Sequence, residues 1–272
     1  PLAVAAVATE PLNSAPAPKV STCTACGGPL EGGLRFCGRC GHALTVPVAA
    51  PAVPVKAPQV GTLALIDDAG AESLQFPLWA GDNVLGRGAT CQPRFPDDGF
   101  LGQRHCVLVA SPGKVVLQPV DAANGTYLRI SAPIEIAHGD YLRVGQEVLR
   151  FERLERLSPE QGSRGAESVG WPIPRGVWGR LCQMGLHRQV ANAYLLQNPD
   201  VFLGRERGDI LFPKDGFVSS SHAVISDRNG RTFLKDLGSS NGTFVRLRQD
   251  TPLRNGDLFL LGRNLLRLHL AA

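Results

Sequence analysis

The chain has little of what would place it in a membrane, on a nucleic acid or among enzymes. None of its apolar runs approaches the roughly 18 residues that a spanning helix needs. The apolar stretch from Pro1 to Ala8 is short and no basic residue precedes it, so it makes a poor signal peptide. The missing initiator methionine implies a trimmed start, and residues 1–20 are expected to be a flexible Ala/Pro tail. Aromatic residues make up only 6% of the chain, with no basic block among them. A general nucleic-acid groove interleaves both, so that partner is not expected. Paired carboxylates, a Ser/His/Asp set with its own oxyanion turn, a phosphate-binding loop and an open metal site are all missing, which argues against catalysis. No stretch holds a helical period.

Glycine and proline are plentiful, at 31 and 21. Such a composition joins many short strands through tight turns. The 272 residues suffice for two modest domains, each with its own core.

One long pattern occurs twice, about 117 residues apart. The first copy reads Gly86-Arg87, Phe95-Pro96, His105, Asn124-Gly125-Thr126, Gly139-Asp140 and Gly145. The second reads Gly204-Arg205, Phe212-Pro213, His222, Asn241-Gly242-Thr243, Gly256-Asp257 and Gly262. From the Phe-Pro pair onward every interval matches, which leaves no room for an insertion. Two long copies are too few for a solenoid and point to a tandem of whole domains. Strand-like runs such as Thr62–Ile66, Tyr141–Val144 and Leu258–Leu261 alternate with Asn-Gly corners, so each copy is expected to be an all-β sandwich. The first should cover 60–154 and the second 173–272. A Pro/Ala linker would occupy 45–59, and a Ser/Gly-rich linker 155–172.

Residues 61–154 carry 8 basic and 11 acidic side chains, and residues 155–272 carry 16 and 11. By this division the second copy suits an anionic ligand.

Ahead of both copies, Cys23, Cys26, Cys37 and Cys40 form two CxxC pairs, each followed by glycine. Each pair offers two thiolates from one tight turn, the donor set of a tetrahedral zinc site. Iron or two disulfides would fit the same count, but disulfides imply secretion, for which there is no address. Residues 21–44 resemble a small bacterial zinc ribbon. With four thiolates and no open position, its role would be structural, and metal binding would supply its folding energy. Cys91, Cys106 and Cys182 lack metal spacing and are expected as buried free thiols.

The second copy gathers Gly204-Arg205, Ser219-Ser220-Ser221-His222 and Ser239-Ser240-Asn241 at strand ends, where loops of a sandwich meet. Arginine pairs bidentately with a phosphate dianion, and hydroxyls and loop N–H groups complete the oxygen shell. Read singly, Asn241-Gly242 also fits any hairpin, and Arg205-Glu206 also fits a surface ion pair. This set and order resemble the forkhead-associated family, which reads phosphothreonine in peptides. The resemblance covers both copies. It implies that Arg205 and Ser219 hold the phosphate, that Ser220, Ser240 and Asn241 contact the peptide, and that Gly204 and His222 support the loops.

The first copy keeps Arg87, His105 and Asn124 but has Gly102 and Gln103 for Ser219-Ser220, and Ala122-Ala123 for the serine pair. It is expected not to bind phosphate. The function implied is a cytoplasmic, non-catalytic adaptor that recruits Thr-phosphorylated proteins, such as substrates of a bacterial Ser/Thr kinase or the kinase itself. The alternative is a constitutive assembly protein whose sandwiches and zinc ribbon act without phosphorylation.

Overall fold

A computed structural model of the chain describes residues 21–23, 25–30, 39–40, 57–67, 69–120, 123–154 and 174–271. The expected tail at 1–20, the linker at 155–172, most of the linker at 45–59, Ala122 and Cys37 lie outside the described residues. The chain divides into two compact units, Pro1–Lys56 and Ala57–Ala272.

In the first unit, strands β1 (Ser21–Thr22) and β2 (Pro29–Leu30) pair antiparallel. The Cys23–Gly28 turn joins them, with the Gly27 N–H donating to the Cys23 carbonyl at 2.8 Å. Gly27 takes φ +67°, a conformation that favours glycine at this corner.

The described residues of the second unit are strands and turns apart from one 3-10 turn at Leu186–Arg188. The first sandwich begins with β3 (Gln59–Ile66), β4 (Glu72–Trp79), β5 (Gly81–Leu85), β6 (Cys106–Ser111), β7 (Lys114–Pro119) and β8 (Thr126–Arg129). The strands that follow are β9 (Ile134–Ile136), β10 (Tyr141–Val144) and β11 (Glu147–Arg153). The second copy supplies β12 (Gly179–Met184), β13 (Val190–Leu196), β14 (Asp200–Gly204), β15 (Ile210–Leu211), β16 (Ala223–Arg228), β17 (Arg231–Asp236) and β18 (Thr243–Arg246). It ends with β19 (Thr251–Leu253), β20 (Leu258–Leu261) and β21 (Asn264–Leu270).

The pairing of these strands departs from the expected boundaries. Strand β11 pairs with β12, and β9 pairs with β17, so 134–153 complete the second sandwich. In return β21 pairs with β3, and β19 with β7, so 251–270 complete the first. Spans of 60–154 and 173–272 therefore describe the sequence repeats but not the sandwiches, which trade their last three strands. The cores follow the strands. Ile136, Leu142, Val144, Leu149 and Phe151 pack with Leu181, Leu203, Ile225 and Leu234. Leu253, Phe259, Leu261, Leu266 and Leu268 pack with Leu63, Leu85, Leu108 and Leu117. Burying each such side chain is worth about 1.5–3 kcal/mol, so each traded arm is held by many kcal/mol.

At the crossing point β8 and β18 pair with each other, as Phe244↔Arg129, Val245↔Leu128 and Arg246↔Tyr127. Shifting these numbers by the repeat length returns the same pairs, so an approximate twofold axis runs through Leu128 and Val245. The ladder continues past the strands, with Ile130 N–H donating to Thr243 O at 2.9 Å and Leu247 N–H to Thr126 O at 2.8 Å. One ten-stranded sheet thus spans both sandwiches. Smaller sheets of five and four strands cover its two halves.

The exchange has a consequence for dissection. A fragment of residues 173–272 lacks the arm that fills its core, yet a second copy of the fragment can supply one through the β18 edge. We expect it to be a twofold dimer or unfolded, and not a folded monomer. Light scattering behind size-exclusion chromatography checks this; a stable monomer with native strand content would contradict the exchange.

Candidate functional site

The loops after β14, before β16 and before β18 meet at one end of the second sandwich. Arg205 N–H donates to Ser219 O at 2.9 Å, and Arg207 N–H to Ser220 O at 2.9 Å. Ser240 N–H donates to Ser219 Oγ at 3.1 Å, which ties the third loop to the second. Asn241 Nδ2 donates to Phe217 O at 2.8 Å. The first loop can come this close because residue 204 is glycine: a Cβ there would lie 2.2 Å from Arg207 O and 2.3 Å from Ser220 O.

His222 sits beneath the loops, fully buried. Its Nδ1 accepts the Ser219 N–H at 3.0 Å, which leaves Nε2–H to donate to Gly242 O at 3.2 Å. One neutral imidazole therefore joins the two loops that bear Ser219 and Asn241. Burial holds its pKa below the ordinary histidine range, despite a hydrogen bond to Gly242 and the nearby Asp236 and Asp215. His105 occupies the same place in the first sandwich, accepting from Gly102 N–H at 3.2 Å and facing Gly125 O at 3.0 Å. Burial lowers its pKa too.

Arg205, Ser219, Ser220, Ser240 and Asn241 are thus brought to one surface, with Gly204 and His222 underneath. Arg205 is committed to a carboxylate. Its Nε and Nη2 both donate to Glu206 Oε1, at 3.1 and 2.9 Å, and Ser220 Oγ donates to Glu206 Oε2 at 3.2 Å. Hydrogen bonds from Arg205 and Ser220 hold the Glu206 carboxyl below its usual pKa. The pair is open to solvent, with side chains 37% and 60% exposed, so it is weak and displaceable.

Sequence reasoning missed Asp236. Its carboxylate accepts from Gly238 N–H, Ser239 N–H, Ser239 Oγ and Thr243 Oγ1, at 2.6–3.0 Å, and so shapes the loop that carries Ser240 and Asn241. Burial would raise this carboxyl, but those four donors outweigh it and lower the pKa. The aspartate three residues before Ser239 was the available signal. The first sandwich has Pro119 at this place, and buried Thr126 Oγ1 is left with the Cys106 thiol beside it and no strong acceptor.

The exchanged arms also reach the loops. Asp215 Oδ2 accepts Gln146 N–H at 2.7 Å, and Asp98 Oδ2 accepts Arg263 N–H at 2.8 Å. Each site therefore leans on a β-turn from the other copy.

In the first unit, Cys23 Sγ lies 3.8 Å from Cys40 Sγ, and the Cys23, Cys26 and Cys40 sulfurs lie within 4.8 Å of one another. Thiolates about 2.3 Å from a tetrahedral zinc sit roughly 3.8 Å apart, so the spacing suits that ion.

The FHA domain family profile matches residues 83–145 and again 201–262. Two segments of the chain match the FHA domain. A 50-residue stretch is 38% identical to FHA domain-containing protein FhaB of Mycolicibacterium smegmatis, covering 18% of this chain and 32% of that protein. The chain thus spans about a third of that curated relative. Among solved structures, the FhaA FHA domain complexed with the intracellular domain of Rv3910 is 31% identical, with a TM-score of 0.23 over 32% of this chain and 94% of that one. EmbR of Mycobacterium tuberculosis in complex with a low-affinity phosphopeptide is 26% identical, with a TM-score of 0.19 over 33% and 27%. No helix among the described residues is long and apolar enough to cross a membrane.

The two buried histidines set an acid limit. Both are held neutral when folded and regain an ordinary pKa of about 6.5 when unfolded. Below that pH the unfolded chain binds more protons, so stability present at neutral pH is lost as pH falls. Urea midpoints should drop between about pH 7 and 5, and His105→Gln with His222→Gln should flatten the slope; an unchanged slope would assign the acid loss to other groups.

Proposed function

We propose that the second sandwich binds Thr-phosphorylated peptides and that the chain is a non-catalytic adaptor. The observation that carries this reading is the Glu206 carboxylate. Arg205 and Ser220 already converge on an anionic group from two directions. A phosphate dianion offers more charge and more acceptor oxygens than this exposed carboxylate and can displace it. Ser219 and Asn241, fixed by His222, lie beside the displaced position to hold the peptide. Phosphorylation of the partner would create the ligand, which fits recruitment of Ser/Thr-kinase substrates or the kinase in the cytoplasm.

Removing Arg205 strands a partly desolvated anion, which costs about 2–5 kcal/mol. Arg205→Ala should therefore weaken a phosphothreonine peptide by roughly thirtyfold to a few thousandfold. Glu206→Gln removes the internal competitor and should tighten binding a few-fold. Isothermal titration with phosphorylated and unphosphorylated peptide checks both. Equal affinity for wild type and Arg205→Ala would end this reading.

The first sandwich, with Gly102 and Ala123 at the hydroxyl positions, would not read phosphate, and this favours a constitutive docking role for that half. We further propose that Cys23, Cys26, Cys37 and Cys40 hold one structural zinc. The sulfur spacing of the three described cysteines supports it. Metal analysis of the purified chain should find one zinc, lost in Cys23→Ser together with protease resistance of 21–44. A metal-free chain with an intact amino-terminal unit would refute the assignment.

A further inference from the structure

The strand exchange changes the electrostatics of the first site, where the repeat's own composition is acidic. The hairpin between β12 and β13 belongs to the second sandwich, yet Arg188 at its tip donates Nη2–H to Ala123 O at 2.6 Å. His187 and Arg188 hold φ of +55° and +60°, a conformation uncommon outside glycine. Arg246, on β18, lies against the next turn residue: a Cβ on Gly125 would sit 2.2 Å from its Nε. Arg87 N–H donates to Gly102 O at 3.1 Å, and its carbonyl accepts from Arg94 Nε at 3.2 Å. Where Glu206 occupies the second site, the first has Gly88. None of the ion pairs among the described residues involves Arg87 or Arg188. A cleft of about 420 Å³ opens beside Gly125, lined in part by Tyr141, Arg246 and Arg248.

We propose that the first sandwich docks an acidic, unphosphorylated peptide segment along the loop at 123–125, held by arginines of both repeats. The hydroxyl donors of the second site are missing here, since Gly102, Gln103 and Ala123 replace Ser219, Ser220 and Ser240. What remains is planar guanidinium, whose fork matches a carboxylate. Arg188 and Arg246 lie on the 123–125 loop, and Arg87 and Arg94 come from the loop that bonds to Gly102. The inference does not depend on phosphate recognition by Arg205.

The test uses the full chain and a fluorescent, unphosphorylated Asp/Glu-rich peptide of about 12 residues, read by anisotropy. Binding should weaken steeply with added salt, as charge pairing at an exposed surface requires. Arg87→Ala with Arg188→Ala should weaken it by about tenfold or more with an unchanged unfolding midpoint, and Arg205→Ala should leave it intact. Absence of binding at low salt, or indifference to the double substitution, overturns the proposal. So does loss of acidic-peptide binding in Arg205→Ala. A phosphothreonine peptide that still binds Arg205→Ala and is released by Arg87→Ala would make the first site a phosphate reader and overturn it as well.

Discussion

Between Arg129 and Ile134 the chain leaves the first sandwich for the second, and between Arg246 and Thr251 it returns. The rest of the molecule depends on this crossing. Its cause is the pairing of β8 with β18, which directs each chain along its neighbour's strand where it could have turned back on itself. Ile130 is already packed in the second core, and Leu247 against the first. The apolar residues that set the crossing are thus the ones that reward it, through burial on the far side. Because the crossing is reciprocal, both cores are filled and no arm is left over.

Ion pairs fasten the traded arms. Arg153 reaches Asp227 at 2.6 Å and Thr232 at 3.0 Å, while Arg267 and His269 converge on Glu72. Half-buried surface pairs of this kind add modest stability, but they fix which arm lies on which sheet. The functional result is shared ownership of each site. The second copy's Asp215 holds the first copy's Gln146, and the first copy's Asp98 holds the second copy's Arg263. A substitution in one repeat can therefore disturb the loops of the other.

Strand existence and the gathering of loop residues were legible in the sequence because both follow from local signals. Tyr141–Val144 and Leu258–Leu261 match β10 and β20 residue for residue, since a short apolar run and a following glycine mark each directly. Arg205, Ser219, Ser220 and Asn241 could be grouped because turn residues at strand ends collect at one edge. Which sandwich receives an arm could not be read. The two copies have the same spacing, so an arm meets an equivalent register at either core, and strand pattern carries no preference. The choice lies in the long-range pairing of Leu128 with Val245, which no local window contains. For the same reason, charge counted along the chain misplaced the cations: Arg188 and Arg246 of the basic repeat sit on the loop of the acidic one, and Arg129 of the acidic repeat sits against Gly242 in return.

The two sites then differ in a way that repeat duplication alone does not predict. At the second, Asp236 braces a serine-bearing loop and Glu206 keeps Arg205 occupied, so a newcomer must bring more negative charge than one carboxylate. On the proposed function, such a site would reward a dianion over ordinary acidic residues. At the first, Pro119 replaces the brace, Gly88 removes the internal competitor and the hydroxyls are gone. Among the described residues, no ion pair involves Arg87 or Arg188. On the two proposals above, the same sandwich plan would serve a conditional ligand at one end and an unconditional one at the other. Residue 206 and its counterpart 88 carry much of that difference, because they decide whether the loop arginine meets its ligand already paired.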